Sequence, residues 1–252
     1  MTEVKNNKAF DFLLYSYFGI KESDLKPQSK KVPYICAKRA YLDLARTVKY
    51  SYSSSELEEM KSKKSSEEDK DKANNFIDSK NNLIKNICEN ILPPIETKEG
   101  EISFKNSDFD DWHKAKCEEI INFMNNSIDK SNTNILKKDF TIGQAQKWVN
   151  MTLKYLWLLN ALPTGVNPEY LHVPIDSYII KIAYSKKVTF KYALGLEEKR
   201  EKSWSKLSKY EKYFKIQEAI RKAIKTNTTN ETIPIKWESL AWIEVAEKQA
   251  NK

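Results

Sequence analysis

Asp176 is the residue whose surroundings in the sequence best suit chemistry. It closes the segment Leu171-His172-Val173-Pro174-Ile175-Asp176, just after the loop that follows the most apolar helical stretch of the chain. A carboxylate there, at the mouth of a cleft between two helices, can oppose cationic character on a sugar and guide an attacking water. The plain alternative is an acid in the first turn of a helix, two residues after a proline. Gly143 stands between Ile142 and Gln144 at the start of the apolar helix. Bare backbone at a helix N-terminus offers amide N–H groups to a phosphate oxygen, with the helix dipole in support. Such contacts position a duplex without reading its sequence. The alternative there is an ordinary helix-entry glycine.

Gln146 and Asn150 are polar, four residues apart and on one face of a helix that should be deeply packed. They suit either the edge of a base or a neighbouring helix. With His172, Tyr178 and Trp204 they make a candidate base pocket, since bases stack on aromatic faces in flipping pockets and single-strand grooves. Each of those rings is equally suited to a core. The candidate contacts to a phosphate backbone are Gly143, Gln144, Lys147, Lys181, Lys186 and Lys187, with Lys154, Lys191 and Arg221 as further cations on the same half.

The charge distribution points the same way. Residues 1–132 hold 22 Lys and Arg against 23 Asp and Glu, whereas residues 133–252 hold 21 against 12, so all the excess positive charge lies in the second half. Such asymmetry favours a polyanionic partner, although a chain rich in Lys, Asn and Ile would also coat its surface with lysine. The 5 glycines disfavour a turn-rich β-sandwich or barrel and any glycine-rich phosphate loop. Cys36, Cys88 and Cys117 are odd in number and far apart, and read as buried thiols of a reducing compartment. Two histidines, His113 and His172, form no zinc-spaced cluster, so no metal is expected and no cofactor is implied. The N-terminus has no apolar signal core, and the longest apolar run, near Tyr155 to Leu162, is too short to cross a membrane. The expectation is a cytoplasmic protein with no membrane association.

These side chains need helices to carry them. Periodic apolar positions predict helices over about 7–19, 33–50, 73–91, 107–129, 144–160, 174–186, 203–225 and 235–249. The strongest is 144–160, with a stripe from Ala145 through Trp148, Val149, Leu153 and Leu156 to Leu159. Residues 51–72, rich in Ser, Glu and Lys, read as a solvated helix end or mobile loop. Residues 95–106 read as a short strand or hairpin arm. The expected fold is all-α, with an N-terminal helical part over 1–132, a basic helical part over 133–252 and a cleft between the two.

A glycine-bearing hairpin, an apolar helix and a Val-Pro-x-Asp segment opening the next helix together resemble the helix-hairpin-helix DNA glycosylase superfamily. The likeness covers Phe140 to Ala183 and extends loosely to Ala223. It implies that Gly143 is the hairpin glycine gripping the DNA backbone through main-chain amides. It implies that Asp176 promotes cleavage of the N-glycosidic bond of a flipped-out base. The family position for a Schiff-base lysine falls on Ala145, and Lys147 lies about 200° further round the helix, which implies a monofunctional enzyme. One of the family's two hairpin glycines and the iron–sulfur cysteines of some members are absent, and loop 161–172 is an insertion. Two readings follow. One is a monofunctional glycosylase for a damaged or modified base, such as one in modified phage DNA. The other is a non-catalytic helical module binding nucleic acid or protein, for example a phage-defence or regulatory component, in which Asp176 only caps a helix.

Overall fold

Helix formation in this chain is set by capping side chains and apolar stripes. The computed structural model describes residues 7–25, 31–92, 106–163, 165–186, 189–196, 203–226 and 231–250, with residues 7, 106 and 107 as backbone alone. Among the described residues there are nine α-helices, four short 3-10 turns and no β-strand, so the fold is all-α. The helices are α1 (Asn7–Phe18), α2 (Lys31–Leu44), α3 (Ser54–Met60), α4 (Glu67–Asn90), α5 (Asn106–Asn125), α6 (Ile142–Leu158), α7 (Ser177–Ala183), α8 (Tyr210–Thr226) and α9 (Pro234–Ala250). The strand or hairpin arm expected at 95–106 lies outside the described residues, apart from the residue that opens α5.

The central helix is α6, as its apolar stripe predicts. A reciprocal capping box starts it: Thr141 accepts the Gln144 N–H, and the Gln144 side chain accepts the Thr141 N–H at 2.9 Å. Residues 142–153 are all buried. Trp148 is fully enclosed and its indole N–H donates to the Ala37 carbonyl at 2.9 Å. Ala37 and Ala40 give α2 a small-residue face, which lets it close tightly on α6; α5 and α8 pack against α6 as well. Each large side chain buried this way contributes on the order of 1.5–3 kcal/mol.

One apolar core runs from Leu14 to Val245 and draws on both halves of the chain. The change in charge near residue 132 therefore coincides with no gap in that core. A smaller core gathers Leu57, Ala73, Phe76 and Ile135.

Several expected boundaries move. Residues 51–72 are partly helical: α3 occupies Ser54–Met60, and 67–72 are the solvent-facing start of α4, the helix-end alternative. The reason is capping. Ser53 and Glu56 form a second capping box, and Ser66 accepts the Asp69 N–H, so first-turn N–H groups are satisfied despite the polar composition. α2 stops at Leu44 and gives way to a 3-10 turn, after which Tyr50 makes an isolated bridge with Leu136. α8 starts at Tyr210 rather than 203, because residues 204–206 form a 3-10 turn instead. α7 starts at Ser177, leaving Pro174 outside the helix and Asp176 as its N-cap.

Candidate functional site

Residues 171–176 are non-helical, and 171–175 are buried, so their backbone polar groups need partners. Two glutamines from facing helices supply them. Gln146 of α6 donates to the Ile175 carbonyl at 2.8 Å and accepts the Ile175 N–H at 3.1 Å. Gln217 of α8 accepts the Val173 N–H at 3.0 Å and donates to the Val173 carbonyl at 2.6 Å. Each side-chain amide thus serves alternate residues as a neighbouring strand would. This pinning fixes the approach of Asp176 to α7.

Asp176 is held from both sides. Its Oδ1 accepts the N–H groups of Tyr178 at 2.9 Å and Ile179 at 3.0 Å, an N-cap arrangement. Its Oδ2 receives Lys147 Nζ at 2.7 Å, and the two side chains are only 14% and 7% exposed. Two turns along α6, Lys154 pairs with Glu238 of α9, whose side chain is buried. Burial pushes the Glu238 carboxyl above its ordinary pKa, while Lys154 and then Lys147 pull it back and Asp176 pushes it up again. Glu238 therefore senses all three of the other charges. Its Oε1 has no hydrogen-bond partner among the described residues. Two carboxylates and two ammonium groups from α6, α7 and α9 thus lie largely out of water, an arrangement that costs desolvation energy.

A second polar network backs the first. The guanidinium of Arg221 grips both oxygens of Asp110 at 2.9 Å each. His172 Nε2 donates to Asp110 at 2.6 Å, and Tyr213 bridges His172 Nδ1 to Asn150. Asn150 accepts from His113 Nε2 at 2.9 Å, and Tyr210 lies 2.8 Å from the other ring nitrogen of His113. The carboxylate and the amide oxygen only accept, so both imidazoles carry their proton on Nε2. Burial lowers the pKa of His172 to about 4 even though Asp110 opposes the shift, and burial with the neighbouring His172 holds His113 well below its ordinary value. Burial raises the Asp110 pKa, but its bonds to His172 and Arg221 outweigh that and bring it to about 2. Asn150 also donates to Gln146 at 3.0 Å, so this network ends on the clamp that holds Ile175.

The structure places the sequence candidates in very different settings. Asp176 and Lys147 come together, but Lys147 is buried against the carboxylate and is not a surface contact for phosphate. Gly143 is buried in the first turn of α6 and its N–H donates to the Leu207 carbonyl at 3.0 Å, so that amide is not free for a phosphate oxygen. The absence of a side chain at Gly143 is needed for another reason, the close backbone of Trp204. Gln144 is likewise turned inward, donating to the Thr47 carbonyl at 2.9 Å. Gln146 and Asn150 are saturated by internal bonds and present no edge to a base. His172 is buried in the network above, and Trp204 is half-buried beside Gly143. Tyr178 is half-buried, its ring tilted against that of Trp242. Lys181 is half-buried over the Phe190 ring, and Lys186 is exposed. Lys187 lies outside the described residues. Arg221 and Lys154 are engaged in ion pairs, whereas Lys191 is exposed with its ammonium over the Tyr192 ring.

Sequence reasoning missed Glu238, Asp110, His113, Tyr213 and Gln217 as partners of this region. A signal did exist for Glu238 and Gln217: each is a polar residue set among the apolar positions of an amphipathic helix. Nothing local marks His113 as a neighbour of His172.

The three cysteines are buried and free. No described residues form a group of His, Cys, Asp and Glu able to hold a metal ion, and no described helix is long and apolar enough to cross a membrane. What remains chemically is a positioned carboxylate with a primary amine on it. Compared with known proteins, the chain matches no family model, no curated protein and no solved structure.

Proposed function

We propose that the chain binds DNA and hydrolyses the N-glycosidic bond of an extruded base, with Asp176 as the working carboxylate. The observation that carries this reading is the Lys147–Asp176 pair. A helix cap needs only Oδ1; it does not need a second oxygen committed to a nearly buried lysine, whose desolvation is costly. In the reaction the C1′–N bond breaks with its electron pair passing to the base. Water attacks C1′ and its proton leaves to the departing base. The carboxylate opposes the positive charge that grows on the sugar. Exposed Lys186 offers the phosphate backbone a cation.

The two N–H bonds to Oδ1 favour a second reading, a non-catalytic nucleic-acid or protein-binding module in which Asp176 is a cap alone. Asp176→Asn separates them. Asparagine caps nearly as well as aspartate but leaves the nearly buried Lys147 without its anion, so loss of base release supports the enzyme where melts show the variant folded and DNA binding is retained. Base release at the wild-type rate removes Asp176 from the chemistry. Release should be read as new abasic sites on DNA carrying a panel of modified bases.

A further inference from the structure

Helix α1 is fastened to the core along one side and bare along the other. Leu14 is buried, and Phe18 meets the Tyr155 ring edge-on at 5.3 Å. The Tyr17 hydroxyl lies 2.8 Å from that of Tyr155 and accepts from Arg39 at 2.9 Å. The helix is thus firmly seated, yet Phe12 is 70% exposed, Leu13 64%, Tyr15 62%, Tyr17 45% and Phe10 44%. A surface helix ordinarily turns a charged or polar face to water. Here the exposed Ala9, Phe12, Leu13 and Ser16 fall within about 100° of arc around the helix. Tyr15 flanks this face on one side, and Phe10 and Tyr17 flank it on the other. Lys8 stands at its rim, and Asp11 is turned back to accept the Glu22 N–H at 2.7 Å. Ser16 carries the one hydroxyl at the centre of the face and donates it to the Phe12 carbonyl at 2.7 Å, so covering the face strands no donor.

We propose that a second copy of this chain covers this face, the two α1 helices packing antiparallel about a two-fold axis. Two features select that occupant. The first is area. At ~200 Å² for a whole large side chain, the five exposed groups present roughly 600 Å² per copy. Two copies together would bury about 1,200 Å², the lower end of the range for a specific, stable interface. The second is self-complementarity. An axis between Phe12 and Leu13 sets Phe12 of one copy on the partner's Leu13, and Ala9 on the partner's Ser16. The large groups meet at the centre, and the small ones on either side let the two backbones approach. A membrane surface is the other common cover for an apolar helix, but helices that lie on membranes carry a polar face rich in Lys and Arg, and α1 holds one lysine and one aspartate. The proposal stands apart from the nucleic-acid reading above.

Sedimentation equilibrium of the full chain, with any affinity tag at its C-terminus, tests it. Wild type should be a dimer at micromolar concentration. Association should hold or tighten as salt rises, because apolar burial drives it and salt screens the repulsion between two copies of net charge +8. Phe12→Glu and Leu13→Glu should each weaken dimerisation about 100-fold, since a two-fold interface meets every substitution twice. Both positions are exposed, so helical content by circular dichroism should not change. Disulfide trapping reads the direction of packing. Ala9→Cys and Ser16→Cys proteins oxidised together should cross-link to each other, and neither should cross-link to itself; the native cysteines are buried. Wild type that stays monomeric well above micromolar concentration overturns the proposal. A dimer that survives both glutamate substitutions lies on another face and also overturns it. Ser16→Cys protein that cross-links to itself as readily as to Ala9→Cys protein overturns the antiparallel packing. A monomer that binds neutral lipid vesicles, and loses them on Phe12→Glu, would give this face to a membrane instead.

Discussion

Replacing Gly143 with alanine sets two effects of opposite sign against each other. Alanine favours an α-helix over glycine by about 1 kcal/mol, and Gly143 sits in the first turn of α6 with no left-handed backbone to protect. On helix propensity alone the variant is stabilised. The added Cβ, however, would stand 1.9 Å from the Trp204 carbonyl oxygen and 2.9 Å from its carbon. A carbon does not approach an oxygen closer than about 3 Å, so the two backbones must part by roughly 1 Å. Both partners are main chain, so no side chain can rotate away. Overpacking of this kind costs about 1–3 kcal/mol. The bond from the Gly143 N–H to Leu207 spans the same contact and adds about 1 kcal/mol when it is lost. The net expectation is a loss of about 2 kcal/mol, or a fall in Tm of roughly 4–8 °C for a chain of this size. Urea melts and thermal scans measure it directly. A Gly143→Ala protein as stable as wild type or more so would refute the packing account. If that same variant lost DNA affinity without losing stability, the Gly143 amide would be a phosphate contact after all.

Lys154→Met should destabilise the protein by about 3–5 kcal/mol, because it leaves the buried Glu238 carboxylate without its cation; Lys154→Met with Glu238→Leu should recover most of that in the same melts. Stability should also depend on pH through the paired histidines. The folded protein binds fewer protons than the unfolded chain wherever a histidine pKa is lowered, so stability falls as pH drops. For His172 the window runs from the ordinary 6.5 down to about 4, worth on the order of 3 kcal/mol. Asp110 adds a further loss as pH falls from 3.8 toward its folded value of about 2. His172→Phe should flatten the upper part of that profile, and a stability curve level between pH 6.5 and 4 in wild type would contradict neutral, buried imidazoles. On the nucleic-acid reading proposed above, Lys186→Glu should weaken DNA binding most at low salt, since Lys186 is exposed; affinity unchanged at every salt concentration would take Lys186 out of that proposal.

The fold was legible where one physical signal dominated. The stripe from Ala145 to Leu159 places α6 at the centre because no other packing would bury it. Residues 54–60 misled because composition outweighed capping: Ser53 with Glu56, three residues on, is a capping-box pattern visible in the sequence. The start of α7 was misplaced because Pro174 suits a first helical turn, yet the Asp176 side chain caps more effectively two residues later. Local pattern singled out Asp176 and its place at a helix start, but not its pairing with Lys147, which was expected to face phosphate. Helical geometry says where a side chain leaves its own helix and is silent on which loop returns to meet it, 29 residues later. His113 and His172, with ring centroids 4.2 Å apart, meet only through the tertiary fold, so their mutual burial leaves no mark in either neighbourhood.

The glutamine clamps also set an order of assembly. Ile175 is pinned from α6, which precedes it in the chain, while Val173 is pinned from α8, whose residues come 44 positions later. As the chain leaves the ribosome, the first clamp can close while the second has no partner. Until α8 is made, the Val173 N–H has only water to bond, and the segment bearing Asp176 cannot be drawn inside without leaving that group bare. The Lys147–Asp176 contact depends on that segment, and Glu238 joins the cluster from α9, later still. The scaffold around α2 and α6 can therefore form early, whereas the full charge cluster can exist only once α9 has been made.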